Sequence, residues 1–124
     1  MRLSEAMRRG AALSPQGFIT LVDRQGRTCA LGAALEAIGR LPGPHETEPE
    51  TFDYPAEWTC WWKSILLIRC PACSVLIHSG VEQLLGHLND DHKWTREAIA
   101  DWVATIEPQA TEAMPVEARE AVPT

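Results

Sequence analysis

The sequence predicts a small α+β protein, on three observations. Apolar residues recur at helical spacing in several stretches, as at Trp58, Trp61, Trp62 and Ile65, or at Ile99, Trp102, Val103 and Ile106. Between the helical stretches lie β-rich runs such as Gly17-Phe18-Ile19-Thr20-Leu21-Val22. Cys70, Cys73, His87 and His92 fall in a C-x2-C-x13-H-x4-H order, which is metal-ligand spacing. The 124 residues, 45% hydrophobic and 23% charged, suffice for one compact unit or a small domain with arms.

Taken in chain order, residues 3–13 form an amphipathic helix with Leu3, Met7, Gly10 and Leu13 near one face and Ser4 as its expected N-cap. Ser14-Pro15 ends it. The run 17–22, the turn Asp23-Arg24-Gln25-Gly26 and the return Arg27-Thr28-Cys29 predict a hairpin. A second helix follows over 30–39, with small residues that admit close approach of another backbone. Gly39 ends it, before Pro42 and Pro44. These elements make an N-terminal helix–hairpin–helix part, residues 1–40.

Residues 41–63 differ in kind. The stretch 41–57 holds Pro42, Pro44, Pro49 and Pro55, with Glu46, Glu48, Glu50, Asp53 and Glu57 and no Lys or Arg. It reads as an exposed acidic loop leading into a short Trp-rich helix. Residues 64–107 then give a buried strand over 64–69, the cysteine knuckle, a strand over 74–78 and a helix over 81–90. A last helix is capped by Thr95, with Glu97 in its first turn, and stopped by Pro108. Residues 108–124 are expected to be a flexible tail, with at most a turn of helix near 116–121.

The C-x-x-C pair allows metal binding or redox chemistry. No thioredoxin-like βαβ pattern surrounds it, and two histidines follow at ligand spacing, so metal is favoured. A knuckle aims both sulfurs inward, and histidines four or five apart share one side of a helix. The wider spacing here needs a slackened last turn. Ile77 lies four residues after Cys73 and Leu84 three before His87, where a finger core needs apolar residues. Residues 66–92 therefore resemble a ββα Cys2His2 zinc finger. The resemblance implies Cys70, Cys73, His87 and His92 as the ligands of one structural Zn2+. The implied fold is a helix–hairpin–helix packed on one zinc-stabilised finger with an added C-terminal helix. Four protein ligands leave no open metal position for a reacting water, so no enzyme is expected.

Nucleic-acid reading fits poorly. The base-reading helix positions fall at Gly80, Gln83 and Gly86, and two glycines have no side chain to reach a base. Residues 69–107 carry Arg69, Lys93 and Arg96 against Glu82, Asp90, Asp91, Glu97, Asp101 and Glu107. The helices over 81–91 and 96–106 superficially suggest a helix-turn-helix, but Glu97 and Asp101 share the exposed side with Arg96. The likelier nucleic-acid surface is N-terminal, where Arg2, Arg8, Arg9, Arg24, Arg27 and Arg40 face only Glu5, Asp23 and Glu36. The simpler reading is that these arginines solvate the surface or pair with acids.

The five tryptophans serve either as core or as an interface hot spot. Core is favoured, with at least one of Trp61 and Trp62 partly exposed. Cys29 and Cys60 are expected to be small buried residues, although His45 and His78 allow a second metal group on paper. The stretches LSEAMRRGAALSPQGF, TCALGAALEAIG and HLNDDHKWTREAIADWV resemble small uncharacterised bacterial and phage-associated proteins. That resemblance implies a shared architecture and no activity. With a net charge of −6 and no apolar run of signal-peptide or membrane-span length, a soluble cytoplasmic protein is expected. The leading function is a non-enzymatic zinc-binding adaptor or regulator acting through a protein partner. The alternative is a nucleic-acid-associated regulator.

Overall fold

A computed structural model of the chain describes residues 1–44, 53–78 and 80–108. The element order is α1 (Leu3–Ala11), α2 (Ala30–Ala37), α3 (Ala56–Trp62), β1 (Ile68–Arg69), β2 (Leu76–Ile77), α4 (Val81–Asp90) and α5 (Arg96–Ile106). A mixed α+β class is therefore correct. Most of the acidic loop, the tail and the expected turn at 116–121 lie outside the described residues.

Helix α1 buries Leu3, Ala6, Met7 and Gly10 on one face. That face packs on α2, whose sequence ALGAALEA is small enough to allow near backbone contact. A Cβ placed on Gly10 would lie 1.7 Å from the carbonyl oxygen of Ala33 and 2.2 Å from its carbon. Both obstacles are backbone, so neither can rotate away. Gly10→Ala is expected to wedge α1 from α2 and to lower stability by about 1–3 kcal/mol. Denaturant unfolding reads this directly, and a neutral result would mean that the two helices do not meet there. Helix α2 ends as its sequence predicts. Gly39 takes φ +73°, its amide bonds Glu36 O at 3.1 Å, and the Arg40 amide reaches Leu35 O at 2.9 Å.

The N-terminal cap is a correction. Ser4 is not the N-cap; Arg2 holds that position without a side-chain bond, and Ser4 lies buried inside the first turn. The Ser4 amide donates to the carboxylate of Glu107 at 3.2 Å, its hydroxyl donates to the same group, and Arg2 Nε stands 3.5 Å away. An acid beyond the end of α5 thus caps the first helix, satisfying a donor the helix itself leaves open and suiting its dipole.

The N-terminal hairpin is a second correction. Only isolated bridges form, Gln16 with Thr28 and Val22 with Thr28. The turn itself exists: the Asp23 carboxylate accepts from the Gln25 and Arg27 amides at 2.9 Å each and from Arg27 Nε at 2.6 Å. A ladder fails because Ile19 turns to φ +77°, which breaks the alternation a strand requires. The Ile19 amide instead donates to Asp90 on α4 at 2.9 Å.

In α3, Trp58 and Trp62 are buried and Trp61 is half-buried, in keeping with the core reading. Tyr54 meets Trp62 edge-on at 5.1 Å, and Trp58 Nε1 donates to Met1 O at 3.0 Å. The expected buried strand over 64–69 is corrected to two residues, paired antiparallel with Ile68 opposite Ile77 and Arg69 opposite Leu76. Leu66 and Leu67 are exposed.

Helix α4 buries Val81, Leu84, Leu85 and Leu88, and α5 buries Ile99, Ala100 and Val103. These join the side chains of α1 and α2 in one core cluster. Thr95 caps α5 as expected, accepting from the Ala98 amide at 3.1 Å. Arg96 is a fourth correction. It is buried, and its guanidinium donates to Thr28 Oγ1 at 2.7 Å, Ser14 O at 2.6 Å and Ala11 O at 3.2 Å. Arg96 therefore does not share the exposed side of α5 with Glu97 and Asp101. Among the described residues, no helix is long and apolar enough to cross a membrane.

Candidate metal centre

The hairpin and α4 bring the predicted ligands to one place. On the hairpin, the Cys70 amide bonds Val75 O at 2.9 Å and the Ser74 amide bonds Cys70 O at 2.8 Å, closing a tight knuckle. Ser74 takes φ +65° to complete it. The Ala72 amide points at Cys70 Sγ, 3.4 Å away, a favourable donor for a thiolate.

On the helical side, His87 lies in the last turn of α4 and His92 just beyond it. The expected slackening is present. The amides of Asp91 and His92 both reach His87 O, at 3.0 and 3.2 Å, so the turn widens to a five-residue step. Lys93 then adopts φ +57°, and the Trp94 amide returns to Leu88 O at 3.0 Å. This swings the His92 ring to the His87 ring, with centroids 4.6 Å apart.

One ligand atom from each of Cys70, Cys73, His87 and His92 lies within 4.8 Å of the other three. Cys73 Sγ is 3.5 Å from His87 Nε2, and His92 Nε2 is 3.1 Å from His87 Nε2. A tetrahedral ion with bonds of about 2.3 Å to sulfur and 2.0–2.1 Å to nitrogen has S···N edges of about 3.6 Å and N···N edges of about 3.3 Å. The two observed edges match to within a few tenths of an ångström. The site can hold a metal ion. Cys70 is buried and Cys73 exposed, so the centre is sealed on the core side and open at the surface.

Two electrostatic features prepare the donors. His87 Nδ1 is 2.7 Å from the carboxylate of Asp91, which holds the Nδ1 proton and leaves the Nε2 lone pair facing the sulfurs. Hydrogen bonding from His87, then from the Val75 backbone and His92, pulls the Cys73 thiol down to about 6. Cys73, followed by Asp91, raises His87 above its ordinary value. Asp91 carries no weight in the sequence reading, although an acid four residues after a ligand histidine on a helix is a legible signal.

The other candidates are dispersed. Cys29 is buried, caps α2 by accepting from the Gly32 amide at 3.4 Å, and burial pushes its thiol up to about 11. Cys60 is exposed, a correction to its expected burial. Neither joins a metal-ligand group among the described residues, and His45 lies outside them. The N-terminal arginines are largely matched by acids. Arg8 meets Asp101 at 2.7 Å, Arg9 meets Glu5 at 3.0 Å, and Arg27 and Arg2 bind Asp23 and Glu107.

Compared with known proteins, the chain matches no family model, no curated protein and no solved structure. The likeness to a ββα finger therefore stands on the ligand set and its geometry alone.

Proposed function

We propose that the protein is a non-enzymatic adaptor or regulator that works through protein contacts, its hairpin and α4 fastened by one structural zinc. Cys70, Cys73, His87 and His92 are the ligands. The observation that carries this reading is the convergence of two sulfurs and two imidazoles on one point. Two thiolates with two imidazoles suit zinc, whereas calcium and magnesium take oxygen ligands. All four positions are filled by side chains, which favours a structural over a hydrolytic role.

Protein rather than nucleic acid is favoured by charge. Gln83 is the one of the three base-reading positions with a side chain, and most N-terminal arginines are already paired with carboxylates. The test is a tagged pull-down from source-cell lysate, with and without nuclease, alongside elemental analysis. About one zinc per chain and a partner that survives nuclease are expected. A partner set that vanishes with nuclease would transfer the function to nucleic acid, with the N-terminal arginines as the first residues to mutate. Absence of zinc would remove the ligand assignment.

A further inference from the structure

The two sulfurs of the metal centre differ in access. Cys70 is 2% exposed and belongs to the core cluster, whereas Cys73 stands exposed on the open side of the centre. Their sulfurs lie within 4.8 Å of each other. The knuckle keeps them neighbours through its own backbone, with the Cys70 amide on Val75 O at 2.9 Å and the Ser74 amide on Cys70 O at 2.8 Å. A disulfide brings its sulfurs to about 2.0 Å, a gap that side-chain rotation closes on a C-x-x-C turn. An accessible thiolate with a second cysteine poised behind it is the arrangement of a redox-sensing pair. The other two cysteines stand apart from it. Cys29 is buried at the start of α2, where it accepts from the Gly32 amide, and Cys60 is exposed on α3.

We propose that the metal centre is a redox switch, in which a peroxide joins Cys73 and Cys70 in a disulfide and so releases the zinc. This rests on the zinc reading above. The exposed Cys73 thiolate attacks one oxygen of hydrogen peroxide. The O–O bond breaks, Cys73 becomes a sulfenic acid, and the departing hydroxide takes a proton to become water. The buried Cys70 thiolate then attacks the Cys73 sulfur. The S–S bond forms, the S–O bond breaks, and the second hydroxide leaves as water after taking a proton. Together the two thiolates give two electrons to one peroxide, and two protons complete two waters. Resolution by Cys70 keeps Cys73 from the irreversible sulfinic and sulfonic acids.

The consequence is local. The centre loses both anionic donors and keeps only His87 and His92, so the metal dissociates. The hairpin, paired over two residues of each strand and with Leu66, Leu67 and Val75 exposed, loosens. Helix α4 stays, since Leu84, Leu85 and Leu88 are buried in the main core. A thiol reductant and fresh zinc restore the closed state.

The test treats the zinc-loaded full chain with a few equivalents of hydrogen peroxide. A chromogenic chelator reads released zinc, and peptide mass mapping after alkylation of free thiols reads each cysteine. Cys60, exposed and outside the centre, is the internal standard. Nearly all the zinc should be lost in step with a Cys70–Cys73 disulfide, faster than Cys60 is modified. Amide protection should fall at Ile68 and Ile77 and persist at Leu84 and Leu88. Dithiothreitol with added zinc should reverse both changes, and Cys60→Ser should leave the release unchanged. Zinc retained while Cys60 is oxidised would overturn the switch. So would zinc lost to sulfinic or sulfonic acid at Cys73 without a disulfide, a bridge that needs Cys60, or a disulfide that leaves the hairpin protected. Each of these leaves the zinc reading intact, whereas reduced protein that binds no zinc would remove both.

Discussion

Cys73→Ser is expected to abolish binding of the proposed zinc and to unfold residues 65–78 before the rest of the chain. Besides the metal, the hairpin is held to the core by buried Cys70 and by Ile65, Ile68 and Ile77, which are only partly covered. Its ladder is two residues long on each strand, and Leu66, Leu67 and Val75 are exposed rather than packed. A two-stranded unit of this kind is not stable in water by itself. A structural Cys/His zinc site, by contrast, supplies an apparent binding free energy of about 10–16 kcal/mol in finger peptides. In the proposed zinc-bound protein the metal term dominates locally. Loss of one ligand should cost several kcal/mol and lower the melting temperature on the order of 10 °C or more. Calorimetry with parallel metal analysis reads both quantities. Amide exchange should show protection lost at Ile68 and Ile77 while the Leu84 and Leu88 amides, on a helix seated in the main core, remain protected. Metal-free protein with an unchanged melting curve would contradict a structural centre. Asp91→Asn offers a graded companion. It keeps all four ligands but weakens the hold on His87 Nδ1, so metal affinity should fall about 10–100-fold in a chelator competition while the fold persists at saturating metal.

The parts of this protein legible from sequence are those whose causes are local. The pair spacing at Cys70 and Cys73, the slackened step from His87 to His92, the Thr95 cap and the Gly39 stop each depend on a few neighbouring residues, and each is found. The apolar stripes of α4 and α5 point inward as their periodicity requires. Three of the failures have remote causes. Ser4 has cap chemistry, but its donors are claimed by Glu107, 103 residues away. The run from Gly17 to Val22 has strand composition, but Asp90 on a distant helix takes the Ile19 amide and holds the chain in a turn. Arg96, beside Glu97 in the first turn of α5, reads as solvent-facing until three carbonyl and hydroxyl groups of the N-terminal part surround it. In each case a polar side chain pairs across the fold, which neither propensity nor periodicity records.

Arg96→Met is the second large effect expected, and it tests how the two ends of the chain are joined. The guanidinium spans Ala11 O, Ser14 O and Thr28 Oγ1, so one side chain ties the end of α1 and the segment before α2 to the start of α5. Each hydrogen bond from a charged donor is worth about 1.5–3 kcal/mol, and each buried acceptor left open adds a penalty of its own. Two considerations reduce the sum. Ala11 and Ser14 are only half-buried, so water can reach their carbonyls, and Arg96 Nε is itself buried with no hydrogen-bond partner. Methionine removes that orphaned donor along with the useful ones while keeping much of the apolar stem. The net loss expected from denaturant unfolding is about 2–4 kcal/mol. Lysine should restore less than half of it. A single ammonium cannot fork to Ser14 and Thr28 in the way a planar guanidinium does. Full rescue by lysine would mean that charge, not geometry, holds the contact; full stability of the methionine variant would mean that the contact holds nothing. The same burial separates Arg96 from the surface arginines. Arg8→Ala and Arg9→Ala remove exposed pairs worth about 0–1 kcal/mol, so a change in partner binding at those positions can be read as recognition. A change at Arg96 has to be read first as loss of fold.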